Sequence, residues 1–359
     1  MTTAPTPLHD HPDDAMLMRT RTSRRVLAAG AASALTLTGF AGRARGQATP
    51  SATLAGVPAT FEIPGERVFP EGIAYDVATG LFYVGSTEDG TVFRGDLKTG
   101  GVEPFLLAGE DARTAVTGLK VDGEGRLIVC GRRTGRIHVY DTAYGSLIAR
   151  YANGLRDRET LVNDAAITPD GVAYVTDSFS PSLYRVDLAS LPVSGGDAEG
   201  VDVGEQEADV FVDLTGSVFA YDDGEFNANG IVATPDGAAL LIVKFNSGAL
   251  YRVDIASREV TEVTLRGGDL RGGDGMALDG QTLWTILDTT GELVRVELDD
   301  AYTAGRIASR FVDPTFAYPT TLALVGDGTA LVVNSQLDMS GGGSAPVLPF
   351  TVSRVALPA

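Results

Sequence analysis

A single cysteine, Cys130, occurs in the 359 residues, so no internal disulfide can hold the fold together. Its setting, Arg126-Leu-Ile-Val-Cys130, reads as an apolar strand, which makes it a thiol packed between sheets. Histidine is almost as scarce. Of the three, only His138 lies beyond the first 48 residues. That excludes a histidine-rich zinc site and argues against a histidine-based serine or cysteine nucleophile. His138 itself falls in Arg136-Ile-His-Val-Tyr-Asp141, an alternating strand, and is expected to face solvent. There is no Gly-x-Ser-x-Gly elbow and no phosphate-binding glycine loop; Gly267-Gly268 and Gly272-Gly273 read as turns. Long apolar runs are lacking too. The stretch from Val26 to Phe40 is too short, and too rich in Gly, Ala and Thr, for a membrane span.

Basic residues are outnumbered, 28 against 47 acidic, for a net charge of −19. The first 48 residues carry six arginines and three aspartates, so the remainder holds 22 basic and 44 acidic residues, a net of −22. Such a surface repels nucleic acid and anionic lipid, and neither is expected as a partner. Most of the charge aids solubility, and part of it raises the local cation concentration. No obligate protein partner is evident; a small-molecule substrate is expected.

What the first 48 residues contain is an export signal. Ser23-Arg24-Arg25-Val26-Leu27-Ala28 precedes the weakly apolar run, and Ala41-Gly-Arg-Ala-Arg-Gly-Gln-Ala48 supplies small residues for cleavage between Gly46 and Thr49. This is the layout of a twin-arginine signal, with no cysteine nearby for a lipid anchor. Residues 1–48 are thus read as the leader and 49–359 as one domain, periplasmic or extracellular.

The rest of the chain repeats. Six segments share a phase and open on Glu71, Thr117, Asn163, Asn229, Asp274 and Thr320, spaced 46, 46, 66, 45 and 46 residues apart. A period of this size marks a propeller or solenoid. Within each unit a short apolar strand leads to a turn such as Pro169-Asp-Gly171 or Pro235-Asp-Gly237, then to a second strand such as Leu240-Leu-Ile-Val243. A third follows, as in Ser182-Leu-Tyr-Arg-Val-Asp187 and Ala249-Leu-Tyr-Arg-Val-Asp254, and a variable fourth strand closes the unit. Four strands per unit, six times over, predicts an all-β, six-bladed β-propeller with antiparallel blades around a central channel. The 66-residue interval is accounted for by an insertion around 191–207, rich in Gly, Asp, Glu and Ser, read as a surface loop. Ala59-Thr-Phe-Glu-Ile63 is placed to supply the last blade's missing outer strand and so close the ring.

Any position fixed in phase around a closed ring converges on its axis. All six residues at this one carry oxygen, and Glu71, Asn163, Asn229 and Asp274 form a ligand set for a hard cation. Calcium is expected first, with Zn2+, Mn2+ or Mg2+ as alternatives. Thr117 and Thr320 fill the other two blades and are expected to leave room for substrate. Loops between second and third strands reach the same rim. They bring Arg132, Lys244, Asn246 and Asp288 as substrate candidates, with Lys244 and Arg132 suited to an oxyanion.

Four motifs, in order and spacing, resemble the senescence-marker-protein, regucalcin and gluconolactonase family of six-bladed propellers, and more distantly diisopropylfluorophosphatase. They are Pro70-Glu-Gly72; Leu161-Val-Asn-Asp164 with Pro169-Asp-Gly171; Asn227-Ala-Asn-Gly230 with Pro235-Asp-Gly237; and Gly273-Asp-Gly-Met-Ala277. The resemblance covers Phe61 to Pro358. It implies that Glu71, Asn163, Asn229 and Asp274 bind a divalent ion. It also implies that Asp274 serves as catalytic base for water, or as nucleophile, in cleavage of a lactone or related ester. A non-catalytic propeller with a structural ion is the alternative. Leu161 stands where sugar-lactonase members often have arginine, which points to a smaller or more apolar substrate.

Overall fold

The computed structural model describes residues 58–156, 159–192, 203–342 and 344–358. Residues 1–48, read above as an export leader, lie outside the described residues. Strands dominate the rest, and helix is confined among the described residues to short 3-10 turns such as Glu110–Ala112.

Each repeat forms a four-stranded antiparallel meander, because period-two alternation and tight glycine-bearing turns leave hairpins as the nearest partner for every strand. Blade 1 is Pro70–Asp76, Leu81–Ser86, Val92–Asp96 and Val102–Leu106. Blade 2 is Leu119–Val121, Arg126–Cys130, Arg136–Asp141 and Leu147–Ala152. Blade 3 comprises Val162–Ile167, Val172–Asp177, Ser182–Asp187 and Asp209–Asp213. Blade 4 comprises Ala228–Ala233, Ala239–Lys244, Leu250–Asp254 and Val260–Arg266. Blade 5 runs Gly273–Asp279, Thr282–Leu287, Glu292–Leu298 and Ala304–Phe311, its outer strand pairing in parallel with that of blade 4. Blade 6 takes Pro319–Leu324, Thr329–Asn334 and Phe350–Ala356, and its fourth strand is Thr60–Ile63 from the other end of the chain. The closure read from Ala59 to Ile63 is therefore the one observed, with Phe61 opposite Val352.

The core divides between neighbouring blades. Six buried apolar clusters fill the six interfaces, for example Ile128 and Cys130 of blade 2 against Val162, Ala165 and Val175 of blade 3. Cys130 is the packed thiol expected. Trp284, Ile286 and Leu293 of blade 5 similarly meet Leu322, Ala330 and Val332 of blade 6. A blade thus has two buried faces, unlike a sheet with one face in water.

This geometry corrects two expectations. His138 is fully buried, not solvent-facing: it stacks on Tyr140 and its Nε2 lies 3.1 Å from the Asp111 carbonyl, because the turn after blade 1 covers that face of blade 2. Burial drives its pKa down to about 3. The insertion is also more than a loop. Glu205–Glu207 adds a parallel strand to the outer edge of blade 2, and Arg136 binds Glu205 across that edge at 2.5 Å. Residues 193–202 of the insertion lie outside the described residues.

Candidate functional site

The inner strands explain how the phased residues reach the axis. In five blades the pairing of first and second strands skips two residues: Glu71-Gly72, Asn163-Asp164, Asn229-Gly230, Asp274-Gly275 and Thr320-Thr321. Such a bulge releases the residue from the ladder and re-aims its side chain. The following glycine has its own task. A Cβ on Gly118 would lie 2.5 Å from the Asn163 carbonyl, and one on Gly230 would overlap the Asp274 carbonyl. With no Cβ, adjacent inner strands approach until Gly118 N–H donates to Asn163 O at 2.6 Å. Sequence phase, bulge and glycine together draw the ring tight.

Glu71, Asn163, Asn229 and Asp274 consequently line one pocket on the axis, with a cavity volume of about 20 Å³. That is room for a single water-sized occupant or ion. Asn163 Nδ2 donates to Asn229 Oδ1 at 2.8 Å and to Ser178 Oγ at 2.8 Å, and the Asn229 side chain in turn hydrogen-bonds Asp274. Both carboxylates are buried, Glu71 at 6% exposure and Asp274 at 5%. Burial, reinforced by the nearby Asp164 charge, pushes Glu71 up to about 8, against the opposing pull of Arg132 and Lys120. Burial first, then the charges of Glu71, Asp288 and Asp164, raise Asp274 well above the usual carboxylate range. Two acidic groups raised mainly by desolvation, Asp274 further by the Glu71 charge, are what a cation between them would relieve. Among the described residues no cluster of three or more His, Cys, Asp or Glu side chains suited to a metal is found. The axial set instead combines two carboxylates with two amides, an all-oxygen donor set that fits a hard cation.

The remaining candidates divide. Arg132, half-buried and at φ 55°, lines the pocket, as does Asp288. Asp288 is 3% exposed; its Oδ2 accepts from Tyr318 OH at 3.2 Å, while its Oδ1 has no hydrogen-bond partner among the described residues. Burial pushes its pKa up to about 7. Thr117 lines the pocket too, but its hydroxyl donates to Val162 O at 2.7 Å. Thr320 is buried and donates to Glu71 O at 2.9 Å. These threonines fasten neighbouring blades through their hydroxyls.

Lys244 and Asn246 are not brought to the pocket. Lys244 Nζ donates to Asp222 Oδ2 at 2.7 Å and lies 5.8 Å from the Phe219 ring centre, and Asn246 Nδ2 donates to the same carboxylate at 2.9 Å. The segment before blade 4 supplies that carboxylate and draws both side chains outward. Sequence reasoning missed Phe226, Phe245, Leu337 and Thr87, which line the pocket beside Leu161. Phe245 sits between two residues singled out as rim candidates, so its loop was identifiable although its apolar role was not.

No protein-family model and no curated protein sequence matches the chain. Solved structures do. A calcium-binding protein, regucalcin, from Agrobacterium tumefaciens aligns with TM-score 0.56 and 17% identity over 84% of this chain and 96% of its own. A putative gluconolactonase aligns with TM-score 0.52 and 15% identity, covering 85% and 95%. The fold is that of the regucalcin and gluconolactonase propellers. A catalytically inactive histidine-to-alanine form of virginiamycin B lyase from Staphylococcus aureus, with quinupristin, also aligns, with TM-score 0.51 and 12% identity over 83% and 98%. The propeller by itself therefore carries more than one chemistry.

Proposed function

We propose that the chain is a metal-dependent hydrolase of the gluconolactonase-like type, cleaving a lactone or related ester with water. One observation carries the reading: Glu71, Asn163, Asn229 and Asp274, from four blades, meet in a single buried pocket with Arg132 and Asp288. Those four residues would hold the divalent cation, calcium by the chemistry of the donors. A cation there would acidify water and polarise an ester carbonyl.

The chain's own groups supply the rest. Asp274, oriented by the Asn229 side chain, takes the proton of the water that attacks the acyl carbon and returns it to the alkoxide oxygen as the acyl C–O bond breaks. In a nucleophilic variant its carboxylate forms an acyl anhydride, expelling that alkoxide, and water then cleaves the anhydride to restore Asp274. Asp288 offers a second proton acceptor in the same pocket, its carboxylate fixed by Tyr318 OH at 3.2 Å. The Arg132 guanidinium favours negative charge on the carbonyl oxygen as the tetrahedral species forms. A histidine-dependent lyase reaction of the kind suggested by the inactive virginiamycin B lyase variant has no matching group among the described residues, where His138 is buried in blade 2 beside Asp111 and Tyr140.

A second reading has an observation in its favour. A cavity of about 20 Å³ accommodates an ion, and Lys244, Asn246 and both axial threonines are engaged in bonds that hold the fold. Under that reading the ion only stiffens the ring. Asp274→Asn separates the two: under the hydrolase reading kcat falls by about a thousandfold or more with circular dichroism unchanged. Purified protein with bound calcium that cleaves no lactone, aryl ester or phosphotriester would leave the structural reading standing.

A further inference from the structure

Around the axial oxygens the pocket wall is apolar on one side. Leu161 and Phe226 come from the connections into blades 3 and 4, Phe245 from the loop after Lys244, and Leu337 from the turn after blade 6's second strand. The aromatic part is continuous. The Phe179 and Phe226 rings lie 5.0 Å apart, edge to face, and Phe226 and Phe245 lie 5.6 Å apart. Phe226 is packed, whereas Phe179 and Phe245 are half-buried, with the Arg133 guanidinium 5.0 Å from the Phe179 ring centre.

Several hydrogen-bonding groups beside this wall that could answer a polyhydroxylated ligand are already engaged, Asp288 Oδ1 on the axial side being an exception. Thr87 Oγ1 donates to Phe69 O at 2.8 Å, and Thr117 Oγ1 to Val162 O at 2.7 Å. Asp177 Oδ1 accepts the backbone N–H groups of Leu161 at 2.8 Å and Ser180 at 2.9 Å. Gln336 is bonded at both ends of its amide to the Val347 backbone, at 2.8 and 2.7 Å. Lys244 and Asn246 face Asp222. A sugar ring placed against this wall would bury hydroxyls without partners, a penalty each time. An aryl or alkyl group there would bury apolar surface against phenylalanine instead.

We infer that the site selects aryl or alkyl lactones and esters over polyhydroxylated sugar lactones, with the Phe226–Phe245 wall holding the apolar portion. The inference rests on the hydrolase reading for its turnover assay, but not for its binding assay. Calcium-loaded protein is assayed on dihydrocoumarin, γ-nonalactone and glucono-δ-lactone. The expected kcat/KM for the first two exceeds that for the sugar lactone at least tenfold, on the order of what apolar pocket contacts discriminate. Phe245→Ala is expected to shrink that ratio severalfold, and Phe245→Leu, which keeps the bulk, to shrink it less.

A sugar lactone cleaved as well as the aryl lactone overturns the inference, as does a ratio that Phe245→Ala leaves unchanged. Should no substrate turn over, the hydrolase reading fails and calorimetry decides the specificity. Aryl lactam 3,4-dihydro-2-quinolinone binding at least tenfold tighter than gluconolactam upholds the wall, and equal or reversed affinity overturns it.

Discussion

Asn163 and Asn229, 66 residues apart in sequence and in adjacent blades, are joined side chain to side chain at 2.8 Å, the Nδ2 of the first donating to the Oδ1 of the second. Because Asn229 also reaches Asp274, three consecutive blades share one hydrogen-bonded amide–carboxylate chain at the axis. Each amide carbonyl has a second lone pair, so the chain can orient oxygens toward an ion while remaining intact.

A ligand role for that chain has a measurable consequence. Calcium titrated into chelator-treated protein is expected to raise the unfolding midpoint, by about 2.7 kcal/mol of stability at a hundredfold excess over Kd. Asn163→Ala, which removes a donor oxygen, and Glu71→Gln, which removes a ligand charge, should each weaken calcium affinity about tenfold or more. Isothermal calorimetry checks both. Equal affinity in wild type and Glu71→Gln would remove Glu71 from the ligand set.

Stability of the cation-free protein should fall as pH rises. Glu71 is raised in the fold to about 8, and Asp288 to about 7, both by burial first. A carboxyl whose folded pKa exceeds its unfolded value keeps its proton in the native state after the unfolded chain has released it. Its contribution is complete below about pH 4.5 and is lost progressively up to about pH 8. His138, lowered to about 3 from 6.5, acts oppositely, contributing above pH 6.5 and losing that contribution as pH falls toward 3. The expected profile with chelator is a maximum in mildly acidic solution, and calcium should flatten the alkaline limb. A chelated protein equally stable at pH 5.5 and 8 would contradict the two buried carboxyls.

Gly230, which follows the axial Asn229, is expected to be irreplaceable. Gly230→Ala places a methyl onto the Asp274 carbonyl, backbone that cannot step aside without parting blades 4 and 5. A loss of about 2–4 kcal/mol is expected, in the range of core overpacking and above, together with weaker calcium binding. Gly123→Ala is the control: nothing lies within 4 Å of its would-be Cβ and its backbone is not left-handed. Urea unfolding of the two variants should differ by that full margin.

The ring and its axis were legible because a propeller converts sequence phase directly into position: a residue at the same place in each repeat has only one place to go. The closure by Thr60–Ile63 was legible for the related reason that blade 6 had three strands and a spare one preceded blade 1. What alternation cannot reveal is what covers a strand. His138 looks outward by period two, but a propeller blade has no solvent face, and the Asp111 turn lies against it. Lys244 stands beside the rim in sequence, and Asp222, 22 residues earlier, settles its direction. Phe226 and Phe245 read as ordinary strand-flanking aromatics until the loops of blades 3 and 4 converge. Long-range side-chain pairings, unlike repeats, leave no periodic trace.

Ring closure itself supplies the last test. Phe61 is fully buried, meets Phe82 of blade 1 edge to face at 5.0 Å, and shares a cluster with Phe69, Leu331 and Phe350. Its strand pairs by backbone hydrogen bonds with Phe350–Ala356 and so joins the two ends of the described chain in one sheet. Phe61→Ala should cost about 3–5 kcal/mol through transfer and cavity terms. If the ring unfolds as a unit, the loss appears at every probe: Trp284, in the interface between blades 5 and 6, reports the same lowered midpoint as far-ultraviolet circular dichroism. If the closing strand merely frays, fluorescence from Trp284 keeps its wild-type midpoint while protease cuts near residue 60, and axial calcium affinity is unaffected. Because Thr320 of blade 6 holds the Glu71 carbonyl at 2.9 Å, the cooperative outcome is expected, with calcium affinity lowered alongside stability.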